Sequence, residues 1–291
     1  MRQAVVIRSW QAADSVSFVL HVACDVPNNV DVVNRKVPEM PKAEARTLDG
    51  KRALITGAAR RIGAAITERL HDAGVSVAIH YRSSDGEAKE LCGRLNDVRP
   101  DSAKIFAADL TDIDSLDGLM EAVADWGGGL DLLINNASSF YPTPLGSITE
   151  AQWDDLIGSN LKAPLFLSQA AWPYLKERRG AIINMLDIHA RRPLKTLPVY
   201  ASAKAGLAML TLSLAKELAP EVRVNGIAPG AILWPEDGMS ESTKKNILDQ
   251  VPLGRPGGPA DIADCVIYLA RDAAYVTGQI IAIDGGRSIG W

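Results

Sequence analysis

The sequence of 291 residues is long enough for one large α/β domain or two small ones. A hydrophobic fraction of 47% and a charged fraction of 23% are ordinary for a folded chain with a sizeable core. The net charge of −4 lacks the basic excess of nucleic-acid-binding proteins, so we expect no nucleic-acid partner. No apolar run approaches the roughly 18 residues that cross a bilayer, so we expect no membrane segment.

The three cysteines, Cys24, Cys92 and Cys265, are scattered along the chain. They show neither a CxxC pair nor the spacing of metal ligands. We therefore predict no disulfide framework, no metal site and a reducing, cytoplasmic environment.

Residues 1–48 differ in character from the remainder. An apolar run from Val16 to Cys24 is interrupted by a histidine and lacks a cleavage site, which makes it a poor signal peptide. Residues 25–48 are polar and punctuated by prolines. We predict a poorly ordered extension over 1–48; an over-long start, with Met40 as the usual beginning, is the alternative.

From Lys51 onward, strand patterns and helix patterns alternate strictly. The predicted strands cover residues 52–56, 75–80, 104–108, 130–135, 181–186, 222–227 and 279–283. The predicted helices cover residues of about 63–73, 85–97, 113–126, 149–176, 198–218, 240–250 and 259–270. This alternation predicts a single domain over 49–291, an α/β fold of the Rossmann type with a doubly wound parallel sheet.

Ligands of such a sheet bind outside the carboxyl ends of its strands. The first strand is followed there by a glycine turn, Gly57 to Gly63, which opens a helix. Glycine lets the backbone approach a pyrophosphate, and the amino end of the helix attracts it. We predict that Gly57, Arg61, Ile62 and Gly63 bind a dinucleotide.

The second strand is followed by Tyr81, Arg82, Ser83 and Ser84, at the place where a site for NAD would offer a carboxylate. Guanidinium groups and hydroxyls suit a 2′-phosphate, and Arg61 adds a second cation. The pattern therefore favours NADPH over NADH. The alternative is that Arg82 only faces solvent.

A candidate catalytic group follows the fifth strand. Tyr200 and Lys204 are four residues apart and share one helix face. An ammonium beside a phenol lowers the phenol pKa from about 10 towards the range of a general acid. Asp187 ends the preceding strand and would complete a three-group site. Such a pair alone is more often an ordinary helix face, and its place at the ligand edge is what favours catalysis.

Together these motifs resemble the short-chain dehydrogenase/reductase family over nearly all of residues 50–291. The resemblance rests on the glycine turn, Asn135-Asn136-Ala137, Asn160, Tyr200-x-x-x-Lys204, Pro229-Gly230 and Asp284-Gly285-Gly286. It implies that Tyr200 donates a proton, that Lys204 holds the nicotinamide ribose, and that Asn160 anchors a water and proton relay. For Asn160 the alternative is an amide that caps or kinks a helix.

The resemblance also implies further contacts with the cofactor and an assembly. The cofactor contacts are Asp109, Leu110, Asn136, Ala137, Ser138, Tyr200, Lys204, Pro229 and Gly230. Relatives are commonly tetramers, so a homotetramer that uses the helices over 149–176 and 198–219 is expected.

Two departures from the usual family pattern resemble the pteridine reductases. Arg61 replaces the middle glycine of the turn, and Asp187 replaces the usual catalytic serine. The run from Asn135 to Pro144 is similar to the substrate loop of that subfamily, which implies a pterin held between the nicotinamide and Phe140. A flat heteroaromatic ring gains from such stacking. The implied substrate contacts are Ser138, Phe140, Asp187, Tyr200 and Trp234, although Phe140 and Trp234 could instead be core aromatics.

The implied function is NADPH-dependent reduction of a pterin, dihydropterin or folate to its tetrahydro form. Biopterin, monapterin and folate types remain open. One alternative is a carbonyl or acyl-thioester reductase in which Asp187 stands in for serine. A nonenzymatic NADP(H)-binding regulator is the other, and it would not need the proton relay.

Overall fold

The computed structural model describes residues 47–233 and 238–289. These residues belong to one compact unit, Glu44–Trp291. Most of the predicted extension over 1–48 lies outside the described residues and stays a prediction. Its last two residues, Thr47 and Leu48, are described, and the Leu48 side chain is buried against the core.

Seven strands in the described part of the chain form one sheet. They are β1 (Arg52–Ile55), β2 (Ser76–Tyr81), β3 (Ala103–Ala107), β4 (Leu132–Asn135), β5 (Ala181–Met185), β6 (Arg223–Pro229) and β7 (Ile280–Ile283). All pairings are parallel, and the order is β3-β2-β1-β4-β5-β6-β7. The predicted doubly wound parallel sheet is confirmed. Its order reverses between β1 and β4, which places a ligand crevice at their carboxyl ends.

Helices cover both faces of the sheet. They are α1 (Arg61–Asp72), α2 (Asp85–Val98), α3 (Leu116–Gly127), α4 (Glu150–Ile157), α5 (Ala163–Arg178), α6 (Pro198–Glu217), α7 (Glu241–Leu248) and α8 (Pro259–Ile267). Among the described residues, none of the helices is both long enough and apolar enough to span a membrane.

The apolar runs of the strands divide between two core layers. Leu54 of β1 packs in the layer that contains α3 and α5 residues, whereas its neighbour Ile55 packs in the layer under α1 and α8. Leu133 and Ile134 of β4 divide in the same way. Strands buried on both faces need continuous apolar sequence, which explains why these segments lack an apolar–polar alternation.

The stretch predicted as one long helix over 149–176 is helical without a gap from Glu150 to Arg178, but its regular α-helical ladder is interrupted once. The capping box at Thr149 starts α4, but a π-helical turn, Gly158–Lys162, separates α4 from α5. Pro164 lacks the N–H that would continue the regular ladder, and the Asn160 side chain donates to the Leu156 carbonyl at 3.0 Å. Such π-turns often mark functional positions in helices.

Two other helix boundaries also differ from the prediction. A 3₁₀ turn, Ile113–Ser115, precedes α3, and a π-helical turn, Tyr268–Asp272, follows α8 at the end of the stretch predicted as 259–270. Helix ends commonly tighten or widen where the regular ladder stops, and hydrophobic periodicity does not resolve that change.

Candidate active site

A cleft of about 370 Å³ lies at the carboxyl ends of β1, β2, β3 and β4. Its lining includes twelve residues predicted to bind a cofactor: Gly57, Arg61, Ile62, Gly63, Tyr81, Arg82, Ser83, Asp109, Leu110, Asn136, Ala137 and Ser138. Lining residues that the sequence analysis did not assign are Ala59, Arg60, His80, Ser84, Thr111, Ser139 and Ser159. All of these except Ser159 adjoin a segment that was predicted to bind the cofactor. Ser159, in the π-helical turn, could be found only from the tertiary structure.

The glycine turn is packed too tightly for side chains at its first and last positions. A Cβ added at Gly57 would lie 3.0 Å from the Ala137 Cα, and Gly57 has a φ of +60°. A Cβ at Gly63 would lie 2.1 Å from the Gly57 carbonyl oxygen. This cradle of bare backbone at the start of α1 fits a dinucleotide pyrophosphate, which a bulkier turn would keep away.

Arg61 occupies the middle position of the turn with a φ of 53°. A residue with a Cβ in this left-handed region carries a penalty of roughly 1–2 kcal/mol relative to glycine. The fold keeps the arginine there in spite of that penalty, and it places the residue on the cleft wall. A conformational penalty retained at a cleft indicates a functional side chain.

His80 ties the glycine turn to the neighbouring strands. Its Nδ1 accepts from the Gly57 N–H at 3.2 Å, and its Nε2 lies 3.1 Å from the Ala108 carbonyl oxygen. These partners require a neutral ring with the proton on Nε2. Burial lowers the pKa of His80 to about 4, against smaller opposing effects of the Ala108 carbonyl and Asp109.

The far end of the cleft carries the groups predicted for the adenosine side of a cofactor. The Tyr81 hydroxyl donates to Asp85 at 2.8 Å, and the Arg82 guanidinium is 54% exposed at the rim. Asp109 accepts from the backbone N–H and the hydroxyl of Thr111, and these bonds lower its pKa.

The three predicted catalytic groups meet beyond the end of β5. The Tyr200 hydroxyl, on the first turn of α6, donates to Asp187 Oδ2 at 2.9 Å. Asp187 Oδ1 accepts from the His189 N–H at 2.8 Å, which fixes the carboxylate. Lys204 Nζ donates to the Met185 carbonyl at 2.8 Å and lies 5.8 Å from the centre of the Tyr200 ring.

The expected lowering of the Tyr200 pKa is wrong in this structure. Burial raises the pKa of Tyr200, and the charge of Asp187 and the hydrogen bond to it raise it further. Lys204 does not reverse this, because its ammonium is directed at the Met185 carbonyl and is itself buried. Desolvation lowers the pKa of Lys204 to about 8, with Asp187 opposing the change.

Phe140 lies beside the Tyr200 phenol and is 59% exposed. The two ring centres are 4.8 Å apart with an interplanar angle of 82°, an edge-to-face contact. The Phe140 ring is therefore exposed to solvent beside the catalytic group and is not a core aromatic.

Asn160 is completely buried in the π-turn. Its side-chain amide donates to the carbonyls of Ser139 and Leu156, and its oxygen accepts from the Ser138 hydroxyl at 2.6 Å. The geometry is that of a kink amide that anchors the β4–α4 loop, residues 136–149. Among the described contacts none joins Asn160 to Lys204, so the relay role stays a prediction.

The other described residues that were predicted to bind the cofactor are not among those that line the cleft. Tyr200 and Lys204 belong to the catalytic group beyond β5, and are not among the residues described as lining the cleft. Pro229 ends β6, and the Gly230 N–H donates to the Ile283 carbonyl at 3.0 Å. Trp234 lies outside the described residues.

A family model described as Enoyl-(Acyl carrier protein) reductase matches residues 57–288. Pteridine reductase 1 of Leishmania tarentolae is 38% identical over 278 residues, which covers 81% of this chain and 96% of that protein. A solved structure described as a short-chain alcohol dehydrogenase from Sinorhizobium meliloti is 34% identical, with a TM-score of 0.80, and covers 85% of this chain and 100% of that one. The chain belongs to the short-chain dehydrogenase/reductase family.

Relatives that are named for a different reaction are equally similar. The 3-oxoacyl-(acyl-carrier-protein) reductase FabG of Staphylococcus aureus is 38% identical over 240 residues, covering 81% of this chain and 97% of that protein. The FabG of Thermotoga maritima is 37% identical over 249 residues, covering 83% and 99%. Membership in the short-chain dehydrogenase/reductase family establishes an oxidoreductase that uses a nicotinamide cofactor, and overall identity does not choose the substrate.

Proposed function

We propose that the chain reduces a pterin or dihydropterin, of the biopterin, monapterin or folate type, to the tetrahydro form with NADPH. The observation that carries this proposal is the hydrogen bond between the Tyr200 hydroxyl and the Asp187 carboxylate, with the exposed Phe140 ring beside it. A serine at position 187 would suit a simple carbonyl, whereas a carboxyl can also serve the ring nitrogens of a pterin.

The cleft residues support NADPH as the cofactor. The pyrophosphate would be held by the glycine turn with Arg61 and Ile62. The 2′-phosphate would be bound by Tyr81, Arg82 and Ser83, and the adenine by Asp109 and Leu110. Asn136, Ala137 and Ser138 would line the path towards the nicotinamide, and Lys204, Pro229 and Gly230 would complete its site. Bound NADPH supplies the hydride.

Reduction of a ring C=N bond adds a hydride to carbon and a proton to nitrogen. Burial and Asp187 raise the pKa of Tyr200, so its phenol is protonated in the resting site but is a weaker acid than a free phenol. We assign it as the proton donor to a substrate nitrogen that becomes strongly basic as the hydride adds to the neighbouring carbon. Asp187 orients that phenol and can relay a proton to a ring nitrogen. Lys204, with a pKa of about 8, remains largely cationic at neutral pH, and its proposed role is to hold the nicotinamide ribose.

The position of Phe140 favours a flat aromatic substrate. Its exposed ring, at the mouth of the catalytic group, offers a face or an edge to a pteridine, and aromatic contacts of this kind contribute about 0.5–1.5 kcal/mol beyond area burial. Ser138 and Trp234 are the further substrate contacts in this proposal.

The test is direct: the protein is incubated with NADPH and dihydrobiopterin or dihydromonapterin, and the nicotinamide absorbance at 340 nm is followed. We expect its loss to depend on the pterin. Turnover of ketones or acyl thioesters with no turnover of any pterin would refute the pterin assignment.

A second candidate is a 3-oxoacyl-thioester or carbonyl reductase, favoured by the FabG relatives and by the family model. The Asp187→Ser variant separates the two candidates. For a pterin reductase we expect at least a tenfold loss of pterin turnover, because the carboxyl is needed, whereas an acyl-thioester reductase should keep or gain activity with serine. NADPH binding with no turnover of either substrate class would instead indicate a regulator.

We also propose a cytoplasmic homotetramer. Part of the support is an exposed apolar stripe on α6, formed by Ala205, Met209 and Leu212, with Leu165 of α5 also exposed. Met209 is 62% exposed, which is unusual for a helix of this length that packs on a sheet. Cys92 and Cys265 are free thiols, which suits a reducing compartment.

A further inference from the structure

Asp155 of α4 holds the β4–α4 loop through two side chains. The Tyr141 hydroxyl donates to Asp155 Oδ2 at 2.9 Å, and the Ser139 hydroxyl donates to Asp155 Oδ1 at 3.2 Å. Both donors flank Phe140, the exposed ring beside Tyr200. The carboxylate therefore fixes the segment that carries the proposed stacking residue.

The same carboxylate is a counter-charge for the cofactor cleft. Asp155 Oδ1 lies 3.9 Å from Arg82 Nη1, and both side chains are partly exposed. Arg82 lines the far end of the cleft, whereas Asp155 is not among the described residues that line it. Asp155 thus contacts both Arg82, the proposed partner of the 2′-phosphate, and the β4–α4 loop, which carries the proposed substrate contacts.

We propose that Asp155 is a positioning residue through which a 2′-phosphate bound at Arg82 tightens the β4–α4 loop. This inference rests on the proposed NADPH preference. A phosphate attracts the Arg82 guanidinium away from Asp155, since it carries more charge than a single carboxylate. The carboxylate, released from its ion pair, becomes a stronger acceptor for Tyr141 and Ser139. NAD⁺, which has no 2′-phosphate, leaves the pair in place.

The substitution Asp155→Asn keeps an oxygen acceptor for Tyr141 and removes the charge. We expect NADP⁺ to bind about two- to fivefold more tightly, because the phosphate no longer competes with the carboxylate, and this gain should fade in high salt. NAD⁺ affinity should not change. A purely structural role for Asp155 would alter both affinities alike and without salt dependence.

The decisive experiment is hydrogen exchange of peptides from the β4–α4 loop, with saturating NADP⁺ or NAD⁺, in the wild type and three variants. The matched control is Asp154→Asn, since Asp154 is the neighbouring exposed acid. We expect greater loop protection with NADP⁺ than with NAD⁺ in the wild type and in Asp154→Asn, and no such difference in Asp155→Asn. Tyr141→Phe should lower protection with both cofactors while preserving the affinity ratio.

Identical behaviour of Asp155→Asn and Asp154→Asn, in a protein that prefers NADP⁺, would overturn the inference and leave the proposed function intact. Equal affinity of the wild type for NADP⁺ and NAD⁺ would refute the NADPH preference and the inference with it. The two failures are therefore distinguishable.

Discussion

At the scale of single residues, the proposed chemistry depends on Asp187, at the position where the resemblance to the family leads one to expect a serine. Its Oδ2 accepts a hydrogen bond from the Tyr200 hydroxyl at 2.9 Å. Burial raises the pKa of Tyr200 and the Asp187 carboxylate raises it further, so the phenol is protonated in the resting site. In the proposed mechanism the phenol gives up this proton only when hydride transfer has made a substrate nitrogen strongly basic.

Replacing Tyr200 by phenylalanine removes the proton donor and keeps the ring beside Phe140. We expect kcat to fall by roughly 10²–10⁴, the usual contribution of a positioned general acid, while cofactor affinity changes less than about twofold. Steady-state rates and a cofactor titration measure the two quantities. Tyr268→Phe, at an exposed position away from the cleft, is the control and should keep full activity. Unchanged kcat in Tyr200→Phe would exclude its role as donor.

Burial of Lys204 makes the free energy of unfolding depend on pH in the alkaline range. Its pKa is about 8 in the fold and 10.5 as a free side chain, so between these values the unfolded chain binds a proton that the folded chain lacks. Stability contributed by this group therefore rises with pH over that window, by up to roughly 3 kcal/mol.

The variant Lys204→Met lacks this titration. Burial raises the pKa values of Cys265 and Tyr200, which oppose the trend, so the quantity to measure is the difference in unfolding free energy between wild type and variant. We expect the unfolding free energy of the wild type to rise relative to that of Lys204→Met from pH 8 to pH 10. A flat difference would show that Lys204 is not desolvated as the structure indicates.

At the scale of elements, loops and strand ends build the site, and buried polar groups hold them. The Thr56 hydroxyl accepts from the backbone N–H groups of Asn136 and Ala137, and Asn160 holds the next part of the same loop. His80 holds the glycine turn from the other side. These contacts fix backbone segments that carry no regular ladder of their own.

His80 makes the glycine turn sensitive to acid. Its pKa is about 4 in the fold against 6.5 for a free side chain, so between pH 6.5 and 4 the unfolded chain binds a proton that the buried ring does not. Stability should fall as the pH drops through this window, by up to roughly 3 kcal/mol.

Urea unfolding at pH 7 and pH 4.5 checks this prediction. His80→Asn keeps an acceptor near the Gly57 N–H and removes the titration, so its loss of stability on acidification should be smaller than that of the wild type. Equal losses in both proteins would place the acid sensitivity elsewhere, for example at His71, whose pKa is also lowered by burial.

At the scale of the whole molecule, parallel order gathers distant residues at one edge. Strand ends separated by more than a hundred residues in sequence, at Ile55 and Met185, lie two strands apart in the sheet. The cofactor cleft and the catalytic group are therefore neighbours, because β1, β4 and β5 are consecutive in space.

The exposed stripe of α6 bears on assembly. If it is an interface, the double variant Met209→Glu with Leu212→Glu should lower the mass measured by light scattering from that of four 31.2 kDa chains to a smaller species. The change adds two negative charges per chain, and burying them against the apolar groups of a neighbouring copy is unfavourable. Leu145→Glu, at a 91% exposed loop position, is the control and should keep the mass. A wild type that is already monomeric would contradict the tetramer.

Three features could be predicted from the amino-acid sequence: the alternation of strands and helices, the edge of the sheet that carries the cleft, and most of the residues that line the cleft. This follows because strand periodicity and glycine positions are local properties, and parallel topology aligns all carboxyl ends. The sequence also predicted that Asp187, Tyr200 and Lys204 would meet, since the first ends a strand and the other two open the following helix.

Three features of the site required the three-dimensional arrangement: the π-helical turn at Asn160, the direction of the Tyr200 pKa shift, and the contacts of Asp155 and Ser159. Each of these depends on side chains brought together from different elements and on how much water they exclude. Desolvation of Tyr200 and the direction of the Lys204 ammonium cannot be read from their spacing, because both are set by packing around the site.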